Sequence, residues 1–307
     1  MKVFITGASG YIGGAVAHRL QRAGYHVSGL ARTEESGELL RAKGVEPVIG
    51  KLSDLPVLAQ AAKHADAVIN TADADDRVSA QVLSEALHGS GKPFIHTSGS
   101  GIVGDLAQGE PSDKVFDETT PLSPLPQMQN RHTIDNLVLA AADRSVRSVV
   151  LRPGLIYGRS SGLRPHSFQV PTLIDQARRS GVPRYIGRGL NTWSHLHIDD
   201  LAELYLLVLE HASPGSLYYA ENGEADMATA VGSITRMLKL TAQPEGWPIE
   251  RAVQEWGPRA HVALGSNSRV RADKARRELH WQPASKPLID EIESGSYAED
   301  FPLQPAS

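Results

Sequence analysis

The chain has 307 residues, the length of one large domain or of one domain with an appendage, and its 41% hydrophobic and 21% charged residues exclude a disordered protein. A formal net charge of −4 gives no electrostatic reason to expect nucleic acid or an anionic membrane as a partner, and no apolar run approaches the roughly 20 residues of a membrane span. Because the chain has no cysteine, disulfides and thiolate metal sites are excluded, and we expect a cytoplasmic protein.

Short apolar runs alternate with helical patterns through the first half of the chain. We predict strands at 2–5, 25–30, 46–49, 67–70, 93–97 and 148–152, and helices at 13–23, 35–43, 56–63, 78–88 and 133–142. This alternation is typical of right-handed βαβ units and of a parallel sheet with helices on both faces. The predicted fold class is therefore α/β, a doubly wound parallel sheet.

The pattern changes after Gly158, where Gly, Pro and Arg accumulate. Beyond it we predict a helix at 171–180, a short strand leading into an apolar helix at 195–210, and helices at 227–238 and 271–279. We expect residues 1–158, completed by 190–212, to form a nucleotide-binding domain, and residues 159–307 to form most of a smaller, discontinuous substrate-binding part. The tail at 301–307 is expected to fray.

The first predicted strand runs directly into a glycine-rich turn, Thr6–Gly13, that opens the first helix. Gly7 permits a tight turn, Gly10 lets the backbone approach a pyrophosphate, and Gly13 lets the helix pack closely on the strand. The free N–H groups and the dipole of a helix N-terminus favour phosphate. The pattern predicts a dinucleotide site, with a turn kept only for packing as the alternative. Its residues are Gly7, Ser9, Gly10, Tyr11, Ile12 and Gly13.

The end of the second predicted strand indicates which dinucleotide binds. NAD-binding proteins place an Asp or Glu there for the ribose 2′-hydroxyl. This chain has Ala31 at that point, followed by Arg32. Without a carboxylate a 2′-phosphate is not repelled, and a guanidinium can bind it with two hydrogen bonds. We predict NADP(H), the alternative being that Arg32 is a solvated surface residue or stacks on adenine with either cofactor.

Further motifs follow in chain order: Gly99–Gly104, Arg152–Gly158, His195–Ala202 and Lys274–Pro283. With the glycine turn, they resemble the extended short-chain dehydrogenase/reductases of the epimerase/dehydratase-like superfamily. The resemblance implies a Rossmann-type domain of about seven parallel strands with a small C-terminal substrate-binding part. It also implies that Asp199 and Asp200 fix a loop and a helix start, one of them as an N-cap. The cofactor site is extended by Leu52, Thr71, Ala72 and Pro153.

One departure from the family concerns its Tyr and Lys, which lie four residues apart on the helix after the fifth strand. The matching stretch, 125–136, contains neither. One alignment places Gln127 and Arg131 there, and a shift by one places Met128 and His132. Arg131 is assigned to the ribose or phosphate of the cofactor. His132 is a candidate acid or base near neutral pH, or a helix residue with a structural hydrogen bond.

A second departure lies in the loop after the fifth strand, where the family's hydroxyl falls on Gly99. Ser98 and Ser100 flank this glycine and are candidates to orient a substrate carbonyl. The alternative is that this stretch is only a tight turn at the strand end.

A third departure concerns the substrate. Trp193 stands where sugar-nucleotide members carry an Arg for the diphosphate, and an indole offers stacking and one N–H but no charge. We assign Trp193 and Arg188 to the substrate site, with Arg188 able to restore the missing charge. Nucleotide sugars are therefore disfavoured but not excluded. The alternative is that the arginines of 159–188 form a solvated positive face. His195 and His197 lack a third ligand at a suitable spacing, so no metal is predicted.

Together these features predict an NADPH-dependent oxidoreductase that reduces a carbonyl or imine of a small, non-nucleotide substrate. Two alternatives remain open: a non-catalytic NADP(H)-binding sensor, and an isomerase or lyase of the nucleotide-sugar epimerase/dehydratase type. Relatives often dimerise through the two helices predicted at 78–88 and 133–142, so we expect a homodimer.

Overall fold

The computed structural model describes residues 1–302, so the predicted fraying of the tail lies, from residue 303 onward, outside the described residues. The strands are β1 Lys2–Thr6, β2 His26–Ala31, β3 Glu46–Ile49, β4 Ala67–Asn70, β5 Pro93–Thr97, β6 Arg147–Pro153, β7 Leu155–Tyr157, β8 Arg184–Ile186, β9 Thr192–His197, β10 Ser216–Ala220, β11 Glu224–Asp226 and β12 Glu245–Trp247. The helices are α1 Tyr11–Arg22, α2 Glu34–Ala42, α3 Leu55–His64, α4 Arg77–Glu85, α5 Gln129–Ala140, α6 Gln169–Ser180, α7 Ile198–His211, α8 Met227–Met237, α9 Ile249–Trp256, α10 Asp273–Leu279, α11 Leu288–Ser294 and α12 Ser296–Asp300.

Seven of the described strands form one parallel sheet in the order β10-β6-β5-β4-β1-β2-β3. This confirms the predicted α/β class with its doubly wound parallel sheet. The strand order reverses between β1 and β4, and ligands of such sheets bind beyond the carboxyl ends of the strands at that point. The fold therefore places a binding crevice where Thr6 and Asn70 end their strands.

Side-chain alternation along the central strand divides the core between the two faces of the sheet. Val3 and Ile5 pack with α1 and α7, whereas Phe4 packs with α3, α4 and α5. A separate buried cluster belongs to the C-terminal part and is built from β7, β9, α6, α8 and the last helices. Because both faces of the sheet are covered at its centre, β4 and β5 are buried along their whole length, whereas the edge strand β3 is partly exposed.

The edge strand β10 was not predicted. It lies after Pro214, where the sequence analysis places only helices, and it pairs with β6. Four of its five residues are buried, on both faces of the sheet. Its sequence therefore lacks the alternation of apolar and polar residues that would mark a strand. The strand predicted near His195 is β9, which belongs to a three-stranded sheet with β7 and β11, while the helix after it, α7, packs on α1. The short helices α9, α11 and α12 were also missed.

The start of α7 differs from the expectation for the Asp199–Asp200 pair. The N-cap is His197, whose ring Nδ1 accepts from the backbone N–H of Asp199. The carboxylate of Asp200 accepts instead from the N–H groups of Ala284 and Ser285, at 3.0 and 3.2 Å. The expectation of a carboxylate N-cap was wrong because the preceding imidazole already serves that function. Asp200 thus fastens the segment after α10 to the helix.

Among the helices that the structure describes, none is both long and apolar enough to cross a membrane.

Candidate dinucleotide and substrate site

The glycine-rich turn leaves no room for side chains at two of its positions. Gly7 has a φ of +78°, and a Cβ there would lie 2.8 Å from Thr71 Oγ1. A Cβ on Gly13 would lie 2.3 Å from the carbonyl oxygen of Gly7. Thr71 also donates its hydroxyl to the carbonyl of Thr6, which holds the end of β4 against the turn. The turn and the residues after β4 therefore form one surface at the reversal of strand order.

The first turn of α1 is prepared for an anion. Its N-cap is Gly10, with no side-chain cap and no acidic residue in the first turn. The backbone donors of that turn remain for a ligand, and the dipole favours negative charge. The Tyr11 hydroxyl donates to the carbonyl of Gly158, so this side chain ties the turn to the loop after β7. These residues fit the pyrophosphate of a dinucleotide.

The ends of β2 and β3 present no carboxylate at the expected ribose position. Ala31 is buried, and Arg32 is exposed. Within residues 1–302 the Arg32 guanidinium has no hydrogen bond or ion pair. Leu52, beyond β3, is half-buried against the side of the sheet that carries α3.

A cleft of about 540 Å³ lies between the carboxyl edge of the sheet and the C-terminal part. It brings together predicted cofactor, catalytic and substrate residues, namely Ile12, Ser98, Ser100, Arg131, Pro153 and Trp193. His132 and Arg188 are not among its lining residues. The cleft is continuous with the first turn of α1 through Ile12, as expected if the nicotinamide end of a dinucleotide enters it.

Ser98 reaches the cleft from a buried polar network. Its hydroxyl donates to Asp135 Oδ2 at 3.0 Å, and the Arg152 guanidinium pairs with the same oxygen at 2.8 Å. Asp135 and Arg152 are almost fully buried, and Arg152 also donates to the hydroxyl of Tyr219. Burial raises the pKa of Asp135 although Arg152 opposes the shift. The network holds the hydroxyl of Ser98, a residue that lines the cleft.

Residues 3–219 match the family model described as NAD dependent epimerase/dehydratase family. The chain belongs to this family. The resemblance to extended short-chain dehydrogenase/reductases is thereby confirmed, and membership of this NAD(P)-dependent family supports an enzyme.

Curated relatives and solved structures of the epimerase/dehydratase family differ in their chemistry. An oxidase, ucsJ, of Acremonium sp is 30% identical, with 95% of both chains covered. A 4-hydroxy-2-methyl-3-oxo-4-farnesyl-3,4-dihydroquinoline-1-oxide ketoreductase of Stigmatella aurantiaca is 27% identical, with 91% of both covered. The crystal structure of dTDP-glucose 4,6-dehydratase from Bacillus anthracis in complex with NAD has a TM-score of 0.78 at 20% identity, covering 98% of this chain and 97% of the other. This last likeness concerns the fold.

The structure distinguishes the two alignments of the missing family Tyr and Lys. In the first alignment both residues, Gln127 and Arg131, line the cleft. In the second, Met128 lines it but His132 does not. The Arg131 guanidinium is held by Asp75, with its Nε 3.0 Å from Oδ1. No tyrosine or lysine occurs among the residues described as lining the cleft. The first alignment thus places both of its residues at the site, but neither is a phenol or an amine.

The other two catalytic candidates, Ser100 and His132, also have polar partners within the protein. Ser100 is fully buried, and its hydroxyl oxygen accepts from the Ser268 hydroxyl at 2.8 Å. His132 lies on α5 with Nε2 3.3 Å from the side-chain nitrogen of Asn136. Both roles stay predictions; Ser98 and Ser100 are described as lining the cleft, and His132 is not.

The two predicted substrate residues also differ in position. Trp193 is 6% exposed, and its indole N–H donates to the carbonyl of Ser266 at 2.8 Å. It therefore offers the cleft an apolar edge rather than a donor. Arg188 lies outside the cleft and pairs with Glu110 at 2.9 Å.

Sequence reasoning missed the far wall of the cleft. A π-helical turn, Ala260–Leu264, lines it together with Arg259 and with Phe168 before α6. Single π turns frequently mark functional sites, but they leave no hydrophobic period in a sequence. The only signal was indirect: the region after Gly158 lacked a regular pattern, as expected for a substrate-binding part.

A second feature that the sequence analysis did not predict is a row of polar side chains below the glycine-rich turn. Thr6 donates to Asn70, whose side-chain nitrogen lies 3.1 Å from His96 Nδ1. Burial lowers the pKa of His96 to about 4, with a smaller contribution from Arg131, so the ring is neutral near pH 7. The row links β1, β4 and β5 at the reversal of strand order.

Proposed function

We propose that this enzyme is an NADPH-dependent reductase that acts on a carbonyl or imine of a small, non-nucleotide substrate. The observation that carries the proposal is Trp193. Its buried indole stands where a sugar-nucleotide enzyme needs a cation, and its N–H is already engaged by Ser266. The cleft wall at this point is therefore apolar, which suits a small organic carbonyl compound better than a diphosphate.

The residues for the cofactor lie along one edge of the sheet. The turn at Gly7–Gly13 would hold the pyrophosphate, Arg32 the 2′-phosphate, and Leu52, Thr71 and Ala72 the adenosine end. Arg131 and Pro153 would hold the nicotinamide end. Bound NADPH supplies a hydride from C4 of its nicotinamide. The unpaired, exposed Arg32 beside the carboxylate-free end of β2 supports the preference for NADPH over NADH.

The proton for the reduced oxygen or nitrogen comes from Ser98 Oγ. In the structure this hydroxyl donates to Asp135, but Asp135 keeps the Arg152 guanidinium as a partner when the proton turns to a substrate. As Ser98 Oγ gives its proton to the substrate it takes one from solvent, so no alkoxide forms, and Asp135 Oδ2 keeps Arg152 as its partner. Arg152 and Asp135 position Ser98 and do not contact the substrate.

The name of the Stigmatella relative supports ketone reduction, and the name of the Bacillus neighbour supports the alternative of lyase chemistry without net redox. We also propose a homodimer formed through α4 and α5, whose exposed faces border a groove lined by Gln81, Leu137 and Ala140. The cytoplasmic location remains an expectation from the absence of cysteine.

The test is isotopic. NADPH deuterated at C4 is incubated with the protein and a panel of small ketones and imines, and product is examined by mass spectrometry. We expect one deuterium in the product for each NADPH oxidised. Conversion of a nucleotide sugar with no net NADPH consumption would replace the proposal by the lyase or isomerase alternative.

A second candidate function is a non-catalytic NADP(H)-binding sensor. It is favoured by one observation: the described lining of the cleft contains no tyrosine or lysine, the residues that the resemblance implies for catalysis. Tight NADPH binding without turnover of any compound in the panel would favour this candidate.

A further inference from the structure

One wall of the cleft is formed by residues 258–266, which we call the π-turn wall. Side chains from other elements hold its backbone carbonyls. Asn191 donates to Leu264 and Ser266, Gln169 donates to Ala263 at 3.0 Å, and Trp193 donates to Ser266 at 2.8 Å. Asn191 is fully buried. These bonds from other elements, together with the π-helical turn itself, fix the backbone of the wall along the cleft.

The inner surface of this side of the cleft is apolar. Trp193, Val262 and Ala263 line it, and Phe168, which is 36% exposed, stands at its mouth. Such a surface favours a hydrophobic or aromatic substrate body because burying it releases water from both sides.

The same wall carries a cation without a protein partner. Arg259 lines the cleft, and its guanidinium carbon lies 5.6 Å from the centre of the Phe168 ring. Within residues 1–302 the Arg259 guanidinium forms no ion pair or hydrogen bond. The other cation of the cleft, Arg131, is already paired with Asp75. Of the two arginines described as lining the cleft, Arg259 is thus the one whose charge no carboxylate neutralises, and it is held against an aromatic face.

We propose that the natural substrate is a carbonyl compound with an apolar body and a carboxylate, and that Arg259 binds this carboxylate at the mouth while Ser98 contacts the carbonyl. The inference rests on the proposed reductase function, since it names the substrate class of the same cleft. Charge-assisted hydrogen bonds between guanidinium and carboxylate orient the acid, and the apolar wall excludes short hydrophilic acids.

The experiment uses matched pairs of ketones: 4-oxo-4-phenylbutanoate and its methyl ester, and 3-oxooctanoate and its methyl ester. The ratio of kcat/KM for acid over ester is measured with NADPH for the native protein, Arg259→Gln, Arg259→Lys and Arg251→Gln. Arg251 is a control because it is an exposed arginine of the same part of the chain that does not line the cleft. We expect Arg259→Gln to lower the acid-to-ester ratio about tenfold, Arg259→Lys to restore part of it, and Arg251→Gln to leave it unchanged.

Binding of 4-phenylbutanoate, which has no carbonyl to reduce, is measured in parallel by calorimetry on the NADPH-loaded protein. If this acid binds the native protein and loses about tenfold in affinity in Arg259→Gln, the carboxylate site stands even when no ketone is reduced. If ketones are reduced but acids and esters react alike in native protein and Arg259→Gln, the reductase stands and the carboxylate site is overturned. Equal loss of acid binding in Arg251→Gln would also overturn it, because a general charge effect would then explain the result.

Discussion

Gly14 in the first helix and Gly162 in the loop after β7 lie in backbone contact: a Cβ on Gly14 would be 2.6 Å from the Cα of Gly162. The contact is reinforced on both sides, because Tyr11 donates to Gly158 and Ser160 donates to the carbonyl of Tyr11. The start of this loop is also held by α12, where Tyr297 accepts from the N–H of Gly158 and Arg159 pairs with Asp300. The loop thus joins the glycine-rich turn and the first turn of α1 to the C-terminal part.

We predict that Gly162→Ala destabilises the protein and weakens NADPH binding. Its Cβ would lie 2.7 Å from the Cα of Gly14, so the loop must move away from α1 and release the first turn. Overpacking of this kind costs about 1–3 kcal/mol, which urea unfolding measures, and the Kd for NADPH should rise with it. Gly232→Ala in α8 is the control, since its Cβ meets only the end of the Arg236 side chain at 3.6 Å. Equal stability of both variants would contradict the prediction.

Arg32→Ala tests the choice of cofactor. Removing the guanidinium deletes the charge-assisted hydrogen bonds to a 2′-phosphate, so the Kd for NADPH should rise about tenfold or more. NADH lacks this phosphate, so its Kd should change little. Arg41→Gln, an exposed arginine of α2 paired with Glu38, is a control for loss of surface charge. Equal weakening of NADPH and NADH by Arg32→Ala would refute the NADP assignment.

The sequence could predict most strands and helices of residues 1–158 because each element there leaves a local signal. The glycine turn, the buried strands and the end of β2 follow from residue type and spacing alone. The edge strand β10 left no such signal, since both of its faces are covered and it has five residues. Its place beside β6 depends on the path of α7 over the sheet, which is a tertiary property.

Of the candidate site, the sequence could predict the residues assigned to the cofactor but little of the substrate side. Ser98 and Arg131 were identified from their motif positions, but their partners were not. Asp75 and Asp135 come from separate loops and helices, and only the folded chain brings each carboxylate to its arginine. The substrate side was less predictable still, because residues 258–266 are positioned by hydrogen bonds from distant side chains and not by a periodic pattern.

Ser98→Ala should lower kcat about a hundredfold while the Kd for NADPH stays the same, because a positioned proton donor contributes roughly 10²–10⁴ to the rate. His132→Ala should leave kcat unchanged, since this ring does not line the cleft. Ser98→Thr, which keeps a hydroxyl, should restore part of the activity. Steady-state kinetics on the best ketone of the panel measure all three. A loss of kcat in His132→Ala with Ser98→Ala active would transfer the role of the acid to the imidazole.

His96 makes the stability of the fold depend on pH. Its pKa is lowered from 6.5 to about 4 in the folded state, by burial first and by Arg131 second, while Asp75 opposes the shift. Between these values the unfolded chain binds the proton and the folded chain does not. The contribution of His96 to the free energy of unfolding is therefore fully present above pH 6.5. It is lost as the pH drops toward 4, and the whole loss is about 3 kcal/mol.

His195 adds to the same dependence, because burial also lowers its pKa to about 4. His96→Gln keeps a polar side chain next to Asn70. We predict that in this variant the free energy of unfolding falls less steeply between pH 6.5 and 4.5, by the slope that corresponds to about one proton taken up on unfolding. Urea unfolding at half-unit steps of pH measures the slope, and His88→Gln, at an exposed position, serves as the control. If the slope of His96→Gln matches that of the native protein, the buried imidazole is not the group that titrates on unfolding, and the row from Thr6 to His96 contributes nothing to acid sensitivity.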